Sequence, residues 1–368
     1  MDWLAGDTAA ALGVVIILAI FYDLFQSVVL PRPAVRKVQL ARYLIRPGWV
    51  VWRAVGRRVP RIDRSEAFLA AFGPLALLGL FVVWGLALVV GYALVFYGLG
   101  AQFHPTLSDF STAIYVSATT LVPLSYGDFV PEQGVARFVV IAESLTGVAI
   151  AALAITLLFS LYESFRQREE SVVALDALAG APPSGVHLLE ASAEHRMRAE
   201  LTKTFDDWRQ WSAMVLESHL AYPLLAYFRS SHDNEAWINS FAAVMDAAAL
   251  TITTVDDESE GAARLMFKVG NHLVEDLNWV FRLKTADNPI IEMSEYHEAL
   301  DRLKKAGYQI KDGDGWTRFS ELRSKYASTL NQIANRMAIT PAEWVGDRTY
   351  LPHRERRPRA RRTPQPKN

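Results

Sequence analysis

Residues 110–131 read FSTAIYVSATTLVPLSYGDFVP and lie between two long apolar runs. Phe110, Ala113, Ile114, Ser117 and Ala118 recur at helical spacing, so the first half is an amphipathic helix. A helix of about 12 residues is too short to cross a hydrocarbon core of roughly 30 Å and fits a re-entrant segment. Ser108 is the expected N-cap, and Asp109 suits the positive end of the helix dipole. The opposite end, at Thr119, Thr120 and Val122, turns partial negative charge toward the membrane centre.

The flanks are long enough to span. Residues 67–103 contain no charged side chain, and the outer helix is expected at about 68–98. Pro74 is placed to kink it, and His104-Pro105 ends it. Residues 136–162 form the last span, interrupted by Arg137 and Glu143 alone. Residues 8–30 form a further span, apolar apart from Asp23, Gln26 and Ser27, and stop at Pro31-Arg32-Pro33. Met1-Asp2-Trp3 lacks the positive n-region of a signal peptide, so this span is read as retained. Asp23 has two readings: a functional intramembrane carboxylate, or a group near the inner interface paired with a nearby arginine.

The chain has 368 residues, 51% hydrophobic and 21% charged, against roughly 25% charged in soluble proteins. The apolar excess lies before residue 164. A net charge of −1 gives no global basicity for nucleic acid, and the absence of cysteine excludes disulfides, thiolate metal sites and cysteine nucleophiles. Charge is segregated. Residues 32–64 carry ten Arg and Lys, Arg32 to Arg64, against a single acidic residue before Ser65, Asp63, interleaved with Trp49 and Trp52. Such a segment suits the membrane interface, where anionic lipid adds about 1 kcal/mol per basic residue. Positive charge also marks the cytoplasmic side, which places the N-terminus outside and the residues after the last span inside.

From Ser164 onward the pattern is soluble. Apolar residues recur at helical spacing in 195–230, 236–255, 262–283, 293–306 and 316–338, punctuated by Pro182-Pro183, Pro223, Gly261, Pro289 and Gly313. No GxGxxG follows a strand, and no β-roll pattern appears. His272 and Glu275 share a helical face, but two ligands make no metal site. The tail after Leu351, with Arg354 and Arg356 to Arg362 among prolines, reads as disordered.

Hydrophobic helix, re-entrant segment ending in Tyr126-Gly127-Asp128, hydrophobic helix: this resembles the pore module of the potassium channel superfamily, over about residues 67–165. The family's filter reads TVGYGD; the equivalent run is Pro123, Leu124, Ser125, Tyr126, Gly127 and Asp128. The resemblance implies four chains, each donating one filter segment whose carbonyls replace the water shell of the ion. It also assigns Thr120 to the pore-helix end and Gly147 to the inner-helix hinge. Three residues depart from the pattern. Pro123 lacks the hydroxyl and the N–H of the family's threonine. Leu124 replaces a valine, and Ser125 replaces a glycine. A Cβ at a left-handed position costs roughly 1–2 kcal/mol, so four copies cost roughly 4–8 kcal/mol. The inner filter is therefore expected to depart from the usual potassium geometry. Glu143 either braces the pore helix from behind, through Tyr115 or Thr119, or faces the cavity and attracts cations. Gly147 either hinges the inner helix or lets helices pack closely.

The expectation is an all-α membrane protein: a potassium-channel-like pore module of outer helix, re-entrant pore helix with filter, and inner helix, an extra N-terminal transmembrane helix and an all-helical cytoplasmic domain. The divisions are 1–30, the basic segment 31–66, the pore module 67–165, the helical domain 166–350 and the tail 351–368. The expected function is a homotetrameric cation channel in the plasma membrane, of the bacterial inner-membrane kind. Its partners are the lipid bilayer, anionic lipid at residues 32–64 and three further copies of itself, not nucleic acid. No cofactor or resident metal is expected beyond a permeant monovalent cation, potassium first. No nucleophile–base pair or phosphate loop appears, so the chain is not read as an enzyme. The rival readings are a poorly selective cation channel and a membrane-anchored sensor or scaffold with a non-conducting pore fold.

Overall fold

The computed structural model describes residues 2–29, 40–59, 62–230, 236–283 and 292–345. The expected stop at Pro31-Arg32-Pro33, the basic residues 32–39 and the tail 351–368 lie outside the described residues. The described chain is helical apart from two short ladders, and it divides into two units. The first holds Met1–Arg166 and Glu217–Arg229; the second holds Gln167–Leu216 and Ser230–Asn368. Glu217–Arg229, inside the stretch 166–350 read from the sequence as one helical domain, packs with the first unit.

In the first unit, α1 (Asp2–Leu24) ends in a π-helical turn, Phe25–Val29. The amphipathic α2 (Leu40–Gly56) and the short α3 (Ile62–Ala70) lead into α4 (Phe72–Gly98). The break between α3 and α4 falls at Ala71, within one turn before Pro74, whose ring clashes with the carbonyl four residues back. The re-entrant α5 (Phe110–Leu121) follows, and then α6 (Gly134–Ala179). Among the described residues, three helical stretches are long and apolar enough to cross a membrane: Gly6–Ser27, Arg64–Gly98 (α3 and α4 together) and Gly134–Ala179. α6 does not stop near Tyr162 as the hydropathy implies. No breaker occurs before Gly180, which takes φ +79 and returns its N–H to the Asp176 carbonyl.

α1 packs on α4 through glycines. A Cβ on Gly13 would lie 2.4 Å from the Gly91 carbonyl oxygen, and one on Gly98 would lie 2.5 Å from that of Gly6. Lipid tails offer no hydrophobic drive for helix pairing, so close backbone approach must supply it. Below this seam Ile17, Ile20 and Leu24 join Leu80, Trp84 and Leu88 in one buried cluster. Asp23 is buried there, and among the described residues its partners are a tryptophan and a backbone N–H rather than the expected arginine. The Trp84 indole N–H donates to Oδ2 at 2.8 Å, and the Leu40 N–H donates to Oδ1 at 2.9 Å. One carboxylate thus ties α1 to α4 and caps the start of α2. Asp23→Asn replaces one acceptor by a donor facing a donor. We expect a loss of about 1–3 kcal/mol, read as a lower unfolding temperature in detergent.

The second unit is built around α9 (Trp237–Thr253), which follows α7 (Gly185–Glu194) and α8 (Leu201–Ala221) and precedes α10 (Glu260–Phe281). Nearly every α9 residue is buried, as an all-round apolar helix must be. Its alanines admit close neighbours: a Cβ on Gly185 would lie 2.7 Å from the Ala243 carbonyl oxygen. α11 (Met293–Lys305), α12 (Gly315–Ser324) and α13 (Ala327–Arg336) complete the unit. The expected helix over 316–338 is thus two, separated at Lys325-Tyr326, and α7 arises in a stretch where no helix was expected. Asp246, inside α9, accepts from Arg323 Nε at 3.0 Å and from the Tyr326 hydroxyl at 2.5 Å. Val255–Asp256 pairs antiparallel with Gln309–Ile310, a two-residue exception to the all-helical reading. Among the described residues no group of three His, Asp or Glu is placed to hold a metal, and His272 joins none.

Lys311 closes the end of α9. Its Nζ donates to the Thr251 and Ile252 carbonyls at 2.8 and 3.0 Å and to Glu260 at 2.8 Å. The Lys311 ammonium, with Arg264 beyond it, holds the Glu260 carboxyl below its usual value of 4.5. A depressed carboxylate contributes stability that is present above its unfolded pKa and lost as pH falls through the folded one. Lys311→Met is therefore expected to cost roughly 1 kcal/mol near neutral pH, and the gap to the parent to shrink below about pH 4. Thermal unfolding of both proteins across that range checks it; a gap independent of pH would remove the linkage.

Candidate functional site

α5 is held from three sides. At its start the N-cap is Asp109 rather than the expected Ser108. The Asp109 carboxylate accepts from the Thr112 N–H at 2.9 Å, the Thr112 hydroxyl at 2.8 Å and the Ser111 hydroxyl. Along its buried face, Ala113 and Val116 pack with Ala93, Phe96 and Phe103. At mid-length Ser117 is fully buried and bridges the two spanning helices. Its Oγ lies 3.0 Å from the Val89 carbonyl of α4 and 2.6 Å from Glu143 Oε1 of α6. Glu143 therefore lies behind the pore helix and not in a cavity. Its partner is Ser117, which corrects the expected Tyr115 or Thr119. Glu143 Oε2 has no partner among the described residues. One turn on, the Tyr92 and Thr146 hydroxyls meet at 3.0 Å and tie α4 to α6 directly.

The C-terminal end of α5 rests on Gly147. A Cβ there would lie 1.8 Å from the Leu121 carbonyl oxygen, so only glycine admits the contact. α6 runs unbroken through this position, where Gly147 packs closely on the end of α5. The Ser144 hydroxyl donates to the Thr120 carbonyl at 3.3 Å. The Thr119 hydroxyl folds back onto its own helix, to the Tyr115 carbonyl at 2.9 Å.

Beyond Val122 the chain turns back on the helix end, with the Leu124 N–H donating to the Thr119 carbonyl at 2.8 Å. Positive φ then recurs at every second residue: Pro123 at +23, Ser125 at +47 and Gly127 at +80. Leu124 and Tyr126 between them are not left-handed. In a carbonyl-lined filter, backbone oxygens replace the water shell of the cation. Ser125 occupies the left-handed region that its Cβ disfavours. Pro123 lies far from the φ near −65° that its ring prefers. From Pro123 to Asp128 every residue is exposed in the single chain.

The outer turn is fixed by contacts the sequence does not announce. Phe103–His104 pairs antiparallel with Val130–Pro131. The Gln102 carbonyl accepts from the Glu132 N–H at 2.8 Å, and its side-chain oxygen accepts from the Ala136 N–H at 3.1 Å, capping α6. Arg137 Nε donates to the Pro131 carbonyl at 3.1 Å.

A short helix seated on two long apolar helices and followed by an exposed segment of alternating φ resembles a pore loop. A family model described as an ion channel matches residues 79–164. Over these residues the chain is similar to the two-transmembrane, potassium-channel-like ion channel family. The matched stretch runs from Gly79 within α4, through α5 and the exposed segment after it, to Ser164 within α6. α1, α2 and the second unit lie outside it. No curated protein and no solved structure matches the chain.

Proposed function

We propose that the protein is a homotetrameric cation channel in which ions pass the carbonyls of residues 123–127, with potassium the expected ion. The observation that carries this reading is the alternation of φ from Pro123 to Gly127 at the end of a re-entrant helix. The helix directs its negative end at the same point. The four-fold assembly is supported by the side chains the single chain leaves uncovered: Val122 is 62% exposed, Leu124 51% and Tyr126 67%. One strand per chain needs three more to surround an ion, and closed symmetry supplies them. Asp128 adds negative charge at the mouth. Glu143, Ser117 and Gly147 position the pore helix and do not touch the ion.

The proposed orientation places the N-terminus outside and the second unit in the cytoplasm, in a plasma membrane of the bacterial inner-membrane kind. The basic residues between α1 and α4, among them the described Arg46, Arg53, Arg57 and Arg58, then meet anionic lipid on the inner face.

A second reading, a poorly selective cation pore, is favoured by the departures at Pro123 and Ser125. Flux of potassium, sodium and a larger organic cation through the purified protein in liposomes, with subunit number read by mass, separates the readings. Potassium flux exceeding sodium flux at least tenfold in a tetramer is the expected result. Equal flux of all three would favour the second reading. A tetramer passing none would sink both and leave a non-conducting scaffold.

A further inference from the structure

The segment Glu217–Arg229 belongs to the first unit, although the residues on either side of it belong to the second. Pro223 opens a 3₁₀ turn, Pro223–Tyr227, which fixes three apolar side chains in different directions. Each meets a different part of the membrane module. Leu225 is buried with Leu77 of α4 and with Leu157 and Leu161 of α6. The Tyr227 ring lies 5.9 Å from that of Trp49 in α2 and 5.7 Å from that of Phe72 in α4. The Phe228 ring lies 6.0 Å from that of Phe165 in α6.

The fit is close. A Cβ on Gly73 would lie 2.8 Å from Phe228 Cδ2 and 3.0 Å from the Tyr227 carbonyl oxygen. Arg229 then forms an ion pair with Glu66 of α3, the two side chains 10% and 28% exposed. One short segment therefore touches α2, α3, α4 and α6 together. Its contacts on α6 begin ten positions after Gly147, at Leu157, on the stretch leading away from the pore helix.

α6 cannot shift along or away from α4 at this level without breaking the Leu225 and Phe228 contacts. The segment cannot leave without uncovering Leu77, Phe72 and Trp49. Both its ends continue into the second unit, so any rearrangement there pulls on it. We propose that Glu217–Arg229 is a coupling strap: it sets the position of the inner helix, and hence the conducting state of the pore, according to the state of the second unit. The strap acts on the channel of the proposed function and rests on that reading for its effect on flux.

The test reverses the Arg229–Glu66 pair. Arg229→Glu, Glu66→Arg and the double reversal are compared with the parent protein in liposomes, by potassium flux and by amide hydrogen exchange over residues 157–165. Each single reversal sets like charges against each other and is expected to change flux about tenfold, a usual size for coupling between sites, while raising exchange in that stretch. The double reversal restores the pair and both readings. Single reversals that leave exchange unchanged would overturn the proposal. So would changed exchange with unchanged flux, or a double reversal that restores neither. If no protein conducts, the parent included, the channel reading fails by itself. Unaltered exchange would then still overturn the strap, and raised exchange restored by the double reversal would leave it a strap on a closed pore fold.

Discussion

Replacing Gly147 by alanine is expected to unseat the pore helix, lowering stability by about 3 kcal/mol per chain and abolishing flux. The new Cβ would stand 1.8 Å from the Leu121 carbonyl oxygen, and the obstructing atoms are backbone. No rotamer change relieves such a contact, so the end of α5 must move by more than an ångström. That end carries the turn into Pro123 and Leu124, and the displacement passes directly to the strand of alternating φ. Gly85 is the control. It lies in α4, and nothing comes within 4 Å of a Cβ placed on it. Gly85→Ala is expected to be neutral or to gain up to about 1 kcal/mol from the lower backbone freedom of alanine. Unfolding temperatures in detergent and liposome flux give both comparisons. A Gly147→Ala protein as stable and as active as the Gly85→Ala protein would mean that α5 is not seated on α6 as described.

What the sequence makes legible depends on how far each contact reaches. The spans and the re-entrant α5 are local features: a charge-free run, a length near 12 residues, and proline or glycine at the ends. The left-handed position at Ser125 is suggested only by the resemblance of residues 123–128 to the family's filter, where a glycine stands in its place. The partners are not. Asp23 reads as a carboxylate in search of an arginine, but Trp84, 61 positions later, offers its indole N–H because the glycines at 13 and 91 bring α1 and α4 together. Ser117 reads as a small residue on an apolar helix face. Its role follows from the register of α5 against α6, which Gly147 sets and no local pattern encodes. Pro223 announces a turn, and nothing near it announces that Tyr227 and Phe228 belong with Trp49 and Phe165.

The second large effect is a gain. Ser125→Gly is expected to raise stability by roughly 1–2 kcal/mol per chain, or roughly 4–8 kcal/mol over the four copies of the proposed tetramer. Ser125 stands at φ +47 and is exposed in the single chain, so no compensating contact within the subunit holds its Cβ. Ser125→Ala separates the causes, since it removes the hydroxyl and keeps the Cβ. It should show none of the gain, and Ser125→Val, branched at the Cβ, should lose more than the parent. Pro123 brings a ring, without hydroxyl or N–H, to the place of the family's threonine. The triple change Pro123→Thr, Leu124→Val and Ser125→Gly then removes the proline ring and the Ser125 Cβ together. Its potassium-to-sodium flux ratio decides what that strain does. A ratio that rises with stability means the native strand is loosened by its own side chains and trades selectivity for another property. A ratio already high in the parent and unchanged in the triple variant means that alternation of φ suffices, whichever side chains enforce it. Potassium flux appearing only in the variant would make the native pore degenerate. Equal melting of Ser125→Gly and the parent would place the left-handed strain at Ser125 below what a Cβ costs, and would remove the basis for expecting any of these changes.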